Sequence, residues 1–387
     1  MRVVYLDNNA TTRLRPEALE AMRPYLGELY GNPSSLHAFG SQVGRGLDTA
    51  REQVAALLGV RSQDVVFTGS GTEANNTALR GYVEAAPEKR HIVTSPVEHP
   101  CIQEVCAYLK ARGCEVTEVP VARDGTMDVA AWKAALRPDT VVATAMAANN
   151  ETGVIFPYAE LAAACAERGI PFHCDGVQAA GKIPVSLKDT AVSSMTIAAH
   201  KFGGPKGVGA LYVRRGARLK PLLLGGHQEK GRRAGTENVA GIVGTGAAAE
   251  LALRDLPVEA GQVRALRDRL ESIVLERIPG SLRNGHRDLR VPNTANLGFP
   301  FVEGEAVLLI LSQFGVCVSI GSACSSGSTE PSHVLRAMKV PESHIFGSIR
   351  FSLGLDTTQE DVDYAAAKVA EAVERLRRVA GKEPARK

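Results

Sequence analysis

Between residues 65 and 213 the chain repeats one pattern, a short β-branched run followed by a connection. The runs are VVFT at 65–68, HIVT at 91–94, 116–121, TVVATAM at 140–146, PFHCD at 171–175, 192–198 and GVGALYV at 207–213. Between most of them lie amphipathic stretches, such as 99–112 and 158–169, with apolar residues at helical spacing. Short apolar strands alternating with helices pack as a mainly parallel sheet covered by helices, so an α/β fold is expected.

The flanking segments do not follow that pattern. Residues 16–59 read as helix in two pieces, broken by Gly31-Asn32-Pro33-Ser34-Ser35. Residues 236–278 are almost continuously helix-compatible, strand-like pieces return from about 290, and a helix is expected near 358–379. At 387 residues the chain exceeds the ~250–300 at which single cores stop growing, so two units are expected. A formal charge of +3 with scattered basic residues gives no footprint for nucleic acid. No apolar run reaches the ~18 residues a membrane span needs, and the expected location is cytoplasmic. Seven cysteines without a secretory signal argue against a disulfide framework and leave thiols free.

Four short constellations could carry chemistry. Ser70-Gly71-Thr72-Glu73-Ala74-Asn75 follows a strand and opens a helix, which suits either an anion on the helix N-terminus or a plain Ser/Thr cap. His173-Cys174-Asp175 ends an apolar strand, where alternation puts Cys174 on the other face, so a three-ligand metal site there is geometrically poor. Asp175 at the carboxyl end of a parallel strand points to the ligand crevice, unless it is only a solvated strand end. Lys201, after a strand and before a glycine-rich turn, is a candidate Schiff-base amine, and on spacing alone Lys206 competes with it. Cys324, inside Gly321-Ser322-Ala323-Cys324-Ser325-Ser326-Gly327, suits a reachable nucleophile or is an incidental loop cysteine. Cys317, in VCVSI, reads as core. Cys101, Cys106 and Cys114 lack metal-ligand spacing and read as structural, so no intrinsic metal site is expected.

Taken together, YLDNNATT, GNPSS, SGTEANN, EHP, NNETG, HCDGVQ, HKFGGPKG, GGHQEKGRRAGTEN, GSACSSGS and SIRFSLG occur in an order that resembles the NifS/IscS-type cysteine desulfurases of the first group. Those are fold-type I pyridoxal-phosphate enzymes of the class-V aminotransferase family, and the likeness spans nearly the whole chain. GGHQEKGRRAGTEN and EPSHVLRAM are closer to the nitrogen-fixation branch. The resemblance implies a large domain at 13–255 with a mainly parallel seven-stranded sheet. It also implies a smaller α+β domain from 1–12 and 256–387, with a catalytic-cysteine loop at 319–330.

Carried over residue by residue, the resemblance implies pyridoxal 5'-phosphate on Lys201, with Asp175 at the pyridinium nitrogen and His99 stacked on the ring. Asn150 and Gln178 would meet the phenolic oxygen. Gly71, Thr72 and His200 would meet the phosphate, with Thr236 reaching in from a second subunit. Asn32 and Arg350 would grip the carboxylate of L-cysteine. Cys324 would take the sulfur as a persulfide, and it could ligate a transferred iron–sulfur cluster. The implied partners are a second copy of the chain and an iron–sulfur scaffold or other thiol acceptor. One position departs from the family: Ala198 stands where a hydroxyl or thiol usually contacts the phosphate. The competing readings are a selenocysteine lyase or an aminotransferase on the same fold, and a non-catalytic sulfur-relay or scaffold-binding protein.

Overall fold

The computed structural model describes residues 2–320 and 330–382. The chain opens with strand β1 (Val4–Tyr5) and helices α1 (Pro16–Gly27) and α2 (Ala38–Leu58), the two helical pieces expected there. Helix α2 stops at Gly59, which takes a left-handed φ of 63° and returns its N–H to the carbonyls of Ala55 and Ala56.

The repeating region then delivers β2 (Val65–Thr68), α3 (Gly71–Ala85), β3 (His91–Thr94), α4 (Pro100–Lys110), β4 (Glu115–Glu118), α5 (Val129–Ala135) and β5 (Thr140–Met146). It continues with α6 (Tyr158–Ala166), β6 (Phe172–Asp175), β7 (Ser194–Ala198) and β8 (Gly209–Val213). The strands form one seven-stranded sheet in the order β2-β8-β7-β6-β5-β3-β4. Neighbours from β7 through β6, β5 and β3 to β4 are parallel, while β8 runs against both β7 and β2. Every residue of β2, β3, β5, β6 and β7 is buried, which is why these runs read as apolar without alternation. The edge strand β4 (EVTE) is the exception: both its glutamates are exposed, and charge on an edge blocks pairing with another chain.

Beyond the sheet, α7 (Val239–Val258) runs through a π turn at Glu259–Val263 into α8 (Arg264–Arg277). The sequence reads as one helix here, and the wide turn follows directly on Pro257, whose missing N–H breaks the regular ladder. Next come β9 (Leu282–Arg283), β10 (Thr294–Gly298), α9 (Gly304–Gln313), β11 (Val316–Cys317), α10 (His333–Ala337), α11 (Glu342–Ile345), β12 (Ser348–Ser352) and α12 (Gln359–Val379). Strands β12, β10 and β9 form an antiparallel sheet, and β11 pairs in parallel with β1. Through that pairing Val4 and Leu6 join an apolar core with Leu270, Phe299, Phe351 and Val369, distinct from the core under the large sheet. Helix α12 starts with a reciprocal Thr358–Asp361 capping box. Among the described residues no helix is long and apolar enough to cross a membrane.

Candidate active site

Because β2 opposes β8 and β8 opposes β7, strands β2, β3, β5, β6 and β7 all end on the same edge of the sheet. That edge is where side chains converge in open α/β sheets. Asp175 is the last residue of β6 and is buried, with Oδ2 accepting from Asn75 Nδ2 at 2.8 Å and Oδ1 from the Val177 N–H at 3.0 Å. Both carboxylate oxygens are thus engaged, which fixes the orientation of the group.

After β2, Ser70 caps α3 by accepting the Glu73 N–H at 3.0 Å. The cap is Ser70 rather than Thr72, and Gly71 and Thr72 stand at the head of the helix with N–H groups that have no intrahelical acceptor. Thr72 is exposed, and Gly71 is packed so closely that a Cβ there would lie 3.2 Å from Val177 Cγ2 and 3.4 Å from Ala198 Cβ. Ala198, the position that departs from the family, therefore lies directly beneath this helix end. Glu73 in the first turn accepts the Gly69 N–H at 2.8 Å and pairs with Arg233 at 2.9 Å.

His99 caps α4, its Nδ1 accepting the Cys101 N–H at 3.2 Å, with Pro100 at the first helical position. Burial lowers its pKa, Asp175 opposes that shift, and Lys201 and His333 add to it, so His99 lies within reach of both charges. Lys201 follows β7 in a single tight turn and donates from Nζ to the carbonyls of Asn9 at 2.5 Å and Ala10 at 2.9 Å. Lys206 is exposed. His200 Nδ1 lies 3.2 Å from Thr11 Oγ1, and burial, reinforced by Lys201, Lys206 and Lys182, lowers its pKa to about 4.

Arg350 of β12 is buried; it donates to the Asn150 carbonyl at 3.0 Å and to Asp7 Oδ1 at 2.8 Å, while its Nε has no partner among the described residues. Its backbone exchanges hydrogen bonds with Ser319, just before residues 321–329. Cys324 itself lies outside the described residues. Asn150 also keeps a buried side-chain oxygen, Oδ1, without a partner among those residues.

Two expected ligands are engaged elsewhere. The Gln178 amide donates to the Asn9 carbonyl at 3.0 Å and accepts from Lys182 Nζ at 2.5 Å. Asn32 uses Oδ1 to accept the Ser34 N–H at 2.9 Å in an exposed turn. Thr236 is exposed, at the end of a segment pinned by ion pairs of Glu229 with Arg51 at 2.7 Å and Arg233 with Glu73.

Sequence reasoning missed three residues. Asn9 is a buried hub: its amide nitrogen donates to the Asn150 carbonyl and Thr294 Oγ1, and its Oδ1 accepts from Lys182 and Asn293. Its signal was a polar LDNNATT run directly after an apolar strand. Lys182 is a buried lysine whose pKa burial, with Lys201, lowers to about 7. Cys101, which reads as structural, has Sγ 3.0 Å from His99 Nδ1 and 3.1 Å from Asn75 Nδ2. Cys317 is only half-buried, because β11 alternates and turns Val316 and Val318 inward.

The family model for aminotransferase class-V matches residues 4–365. The chain belongs to the class-V aminotransferase family. Within that family it is 53% identical over 377 residues to a cysteine desulfurase of Trichormus azollae, covering 97% of this chain and 94% of the relative. It is 48% identical over 380 residues to the cysteine desulfurase NifS of Azotobacter vinelandii, covering 98% and 94%. A solved NifS-like protein superposes with a TM-score of 0.91 at 38% identity, covering 97% of this chain and all of that one (100%). This class-V member is a cysteine desulfurase that works with pyridoxal phosphate and acts on cysteine. The residues suit that cofactor: a doubly hydrogen-bonded carboxylate at a strand end, an open helix N-terminus and an Asn150 Oδ1 without a partner among the described residues face one edge of the sheet.

Proposed function

We propose that the desulfurase reaction is carried by Lys201, Asp175, His99, Arg350 and Cys324. Lys201 holds the cofactor, and Asp175 pairs with its ring nitrogen. His99 covers the ring, the N–H groups of Gly71 and Thr72 with His200 take the phosphate, and Asn150 and Gln178 take the phenolic oxygen. When bound, the cofactor supplies an electron sink for negative charge at the substrate α-carbon.

Arg350 takes the substrate carboxylate with its guanidinium fork, joined by Asn32. Lys201 Nζ takes the α-proton. The Cys324 thiolate then attacks the substrate sulfur; the substrate C–S bond breaks, an S–S bond forms, the carbon that lost sulfur gains a proton, and the α-carbon takes a proton back from Lys201 Nζ. Alanine leaves and a persulfide stays on Cys324. The observation that carries this reading is the pairing of Arg350 with Ser319, which sets the proposed carboxylate grip beside the start of the segment containing Cys324. The half-buried position of Lys201, against exposed Lys206, supports the choice between the two lysines.

The working unit in this reading is a homodimer in which exposed Thr236 reaches the partner's phosphate. The division into a large unit at 13–255 and a smaller one from 1–12 and 256–387 is supported by the apolar core of Val4, Leu6, Leu270, Phe351 and Val369, while Val291, Val334, Leu335 and Ile345 pack with the large unit. The sulfur passes to an iron–sulfur scaffold or another thiol protein in the cytoplasm. The test is borohydride reduction of the loaded enzyme followed by peptide mapping, with alanine and sulfide measured, in separate samples, from cysteine in the presence of a reducing thiol that releases the persulfide sulfur as sulfide. A pyridoxyl group on Lys201 and equal yields of the two products are expected; a group on Lys206 would overturn the assignment.

A further inference from the structure

Beneath the site runs a directional chain of hydrogen bonds that ends on two of its side chains. Tyr82 O–H donates to Ser194 Oγ at 3.2 Å, and Ser194 Oγ lies 2.9 Å from His173 Nδ1. His173 Nε2 lies 2.9 Å from Asn75 Oδ1. Asn75 Nδ2 then meets two acceptors, Asp175 Oδ2 at 2.8 Å and Cys101 Sγ at 3.1 Å. Cys101 Sγ is 3.0 Å from His99 Nδ1.

One arrangement of protons satisfies every contact. An ionised Asp175 only accepts, so the Asn75 amide must turn its NH₂ toward it; the flipped amide would set oxygen against oxygen. Asn75 Oδ1 then faces His173 Nε2, which must carry the ring proton, and the bare Nδ1 accepts from Ser194. Burial keeps His173 neutral, with a pKa lowered to about 3, and pushes the Cys101 thiol up to about 12. Cys101 thus keeps a hydrogen that shares the lone pair of His99 Nδ1 with its own backbone N–H, while its sulfur accepts from Asn75. The titratable and charged groups facing this cluster from neighbouring elements are Glu98, Cys174, Lys201, Tyr212, Arg214 and His333.

We propose that Asn75 is a positioning residue of the desulfurase reaction, fixing Asp175 with one amide hydrogen and, through the Cys101 thiol, the ring of His99 with the other. This rests on the reading that Asp175 pairs with the cofactor nitrogen and that His99 covers the ring. Without Asn75 the carboxylate loses one of its two hydrogen bonds and is no longer fixed beside the ring nitrogen, which is then less positive. The nitrogen joining Lys201 to the cofactor then gives up its proton at higher pH.

The experiment compares wild type with Asn75→Ala, Cys101→Ala, Cys101→Ser and Asp175→Ala, each loaded with cofactor. It reads the pH midpoint of the visible band and the circular dichroism induced in that band. Asn75→Ala should raise the midpoint by about one unit and weaken the dichroism, as loss of one hydrogen bond to a carboxylate would. Cys101→Ala should weaken the dichroism and leave the midpoint in place, and Cys101→Ser should restore the signal. If Asn75→Ala matches wild type in both while Asp175→Ala moves the midpoint, the role of Asn75 is overturned and the reading beneath it stands. If Asp175→Ala also leaves the midpoint unmoved, that reading fails. In apoprotein labelled at asparagine nitrogen, slow exchange of the Asn75 amide hydrogens, lost in Asp175→Ala, is expected. Fast exchange in wild type would overturn the proposal even if Asn75→Ala does not fold.

Discussion

Arg350 donates from Nη2 to Asp7 Oδ1 at 2.8 Å, an ion pair in which the arginine is buried and its Nε has no partner among the described residues. A guanidinium held from one side, with a donor left over, is preorganised for a planar carboxylate. Arg350→Lys keeps the charge that Asp7 requires but removes the fork. It should raise KM for cysteine roughly 10- to 100-fold, the worth of one charged hydrogen bond, and leave the cofactor band unchanged. Steady-state alanine production against cysteine concentration checks this, and an unchanged KM would remove Arg350 from the substrate grip.

Glu98 gives a prediction in pH. Its side chain is fully buried, with Oε1 accepting from Ser95 Oγ at 2.7 Å and the Met146 N–H at 3.1 Å, while Oε2 has no partner among the described residues. Burial raises its pKa from the usual 4.5 to about 8. A folded-state pKa above the unfolded one means that the group's contribution to stability is complete below 4.5 and is lost as pH rises through about 8. Glu98→Gln keeps the shape and cannot ionise. Thermal unfolding midpoints should therefore fall for wild type relative to the variant between about pH 5 and about pH 9. A gap that stays constant with pH would show that Glu98 is not a buried neutral acid.

The elements most legible in the sequence were those whose burial is uniform. VVFT, HIVT and TVVATAM became β2, β3 and β5 with the expected bounds because both faces of each strand are covered. The run at 116–121 shifted to Glu115–Glu118, since a strand exposed at its edge has no apolar signal to mark its ends. Short α5, about two turns long, had no periodicity long enough to read. Within the site, Asp175 ends β6 and Lys201 follows β7 in the positions the sequence suggested for them. Asn75 and Asn9 were not legible, because their partners lie 100 and 285 residues away and nothing in a local pattern names them. The contacts of Cys101 were illegible for the same reason: its neighbours in the chain are a helix turn, while its neighbours in space are Asn75 and His99.

Ala198 offers a gain-of-contact test. Its Cβ lies beneath Gly71, at the end of α3 where the phosphate is proposed to sit, and a hydroxyl there would face the same helix N-terminus. Ala198→Ser should tighten cofactor retention, by up to about 1.5–3 kcal/mol if the new hydroxyl donates to a charged oxygen. Loss of the visible band during dialysis compares the two proteins. Equal or faster loss from the variant would mean that backbone N–H groups or water already satisfy the phosphate.

The last prediction concerns which of the seven cysteines carries sulfur. A persulfide forms only where a thiolate is available and can be reached. Burial pushes the thiols of Cys101 and Cys106 up to about 12, that of Cys165 to about 11 and that of Cys174 well above its usual range. Cys114 is buried, and burial with nearby Asp7 raises the half-buried Cys317. None of these six is set in a Gly/Ser-rich run as Cys324 is. Incubation with cysteine and no reductant should therefore add sulfur to the peptide containing Cys324, and a thiol should then remove it. Cys324→Ser should still shift the cofactor band on adding cysteine, because binding rests on Lys201 and Arg350, yet release almost no sulfide. Sulfur mapped instead to Cys317 or Cys101, or full turnover in Cys324→Ser, would move the nucleophile to another thiol and remove the role proposed for Cys324.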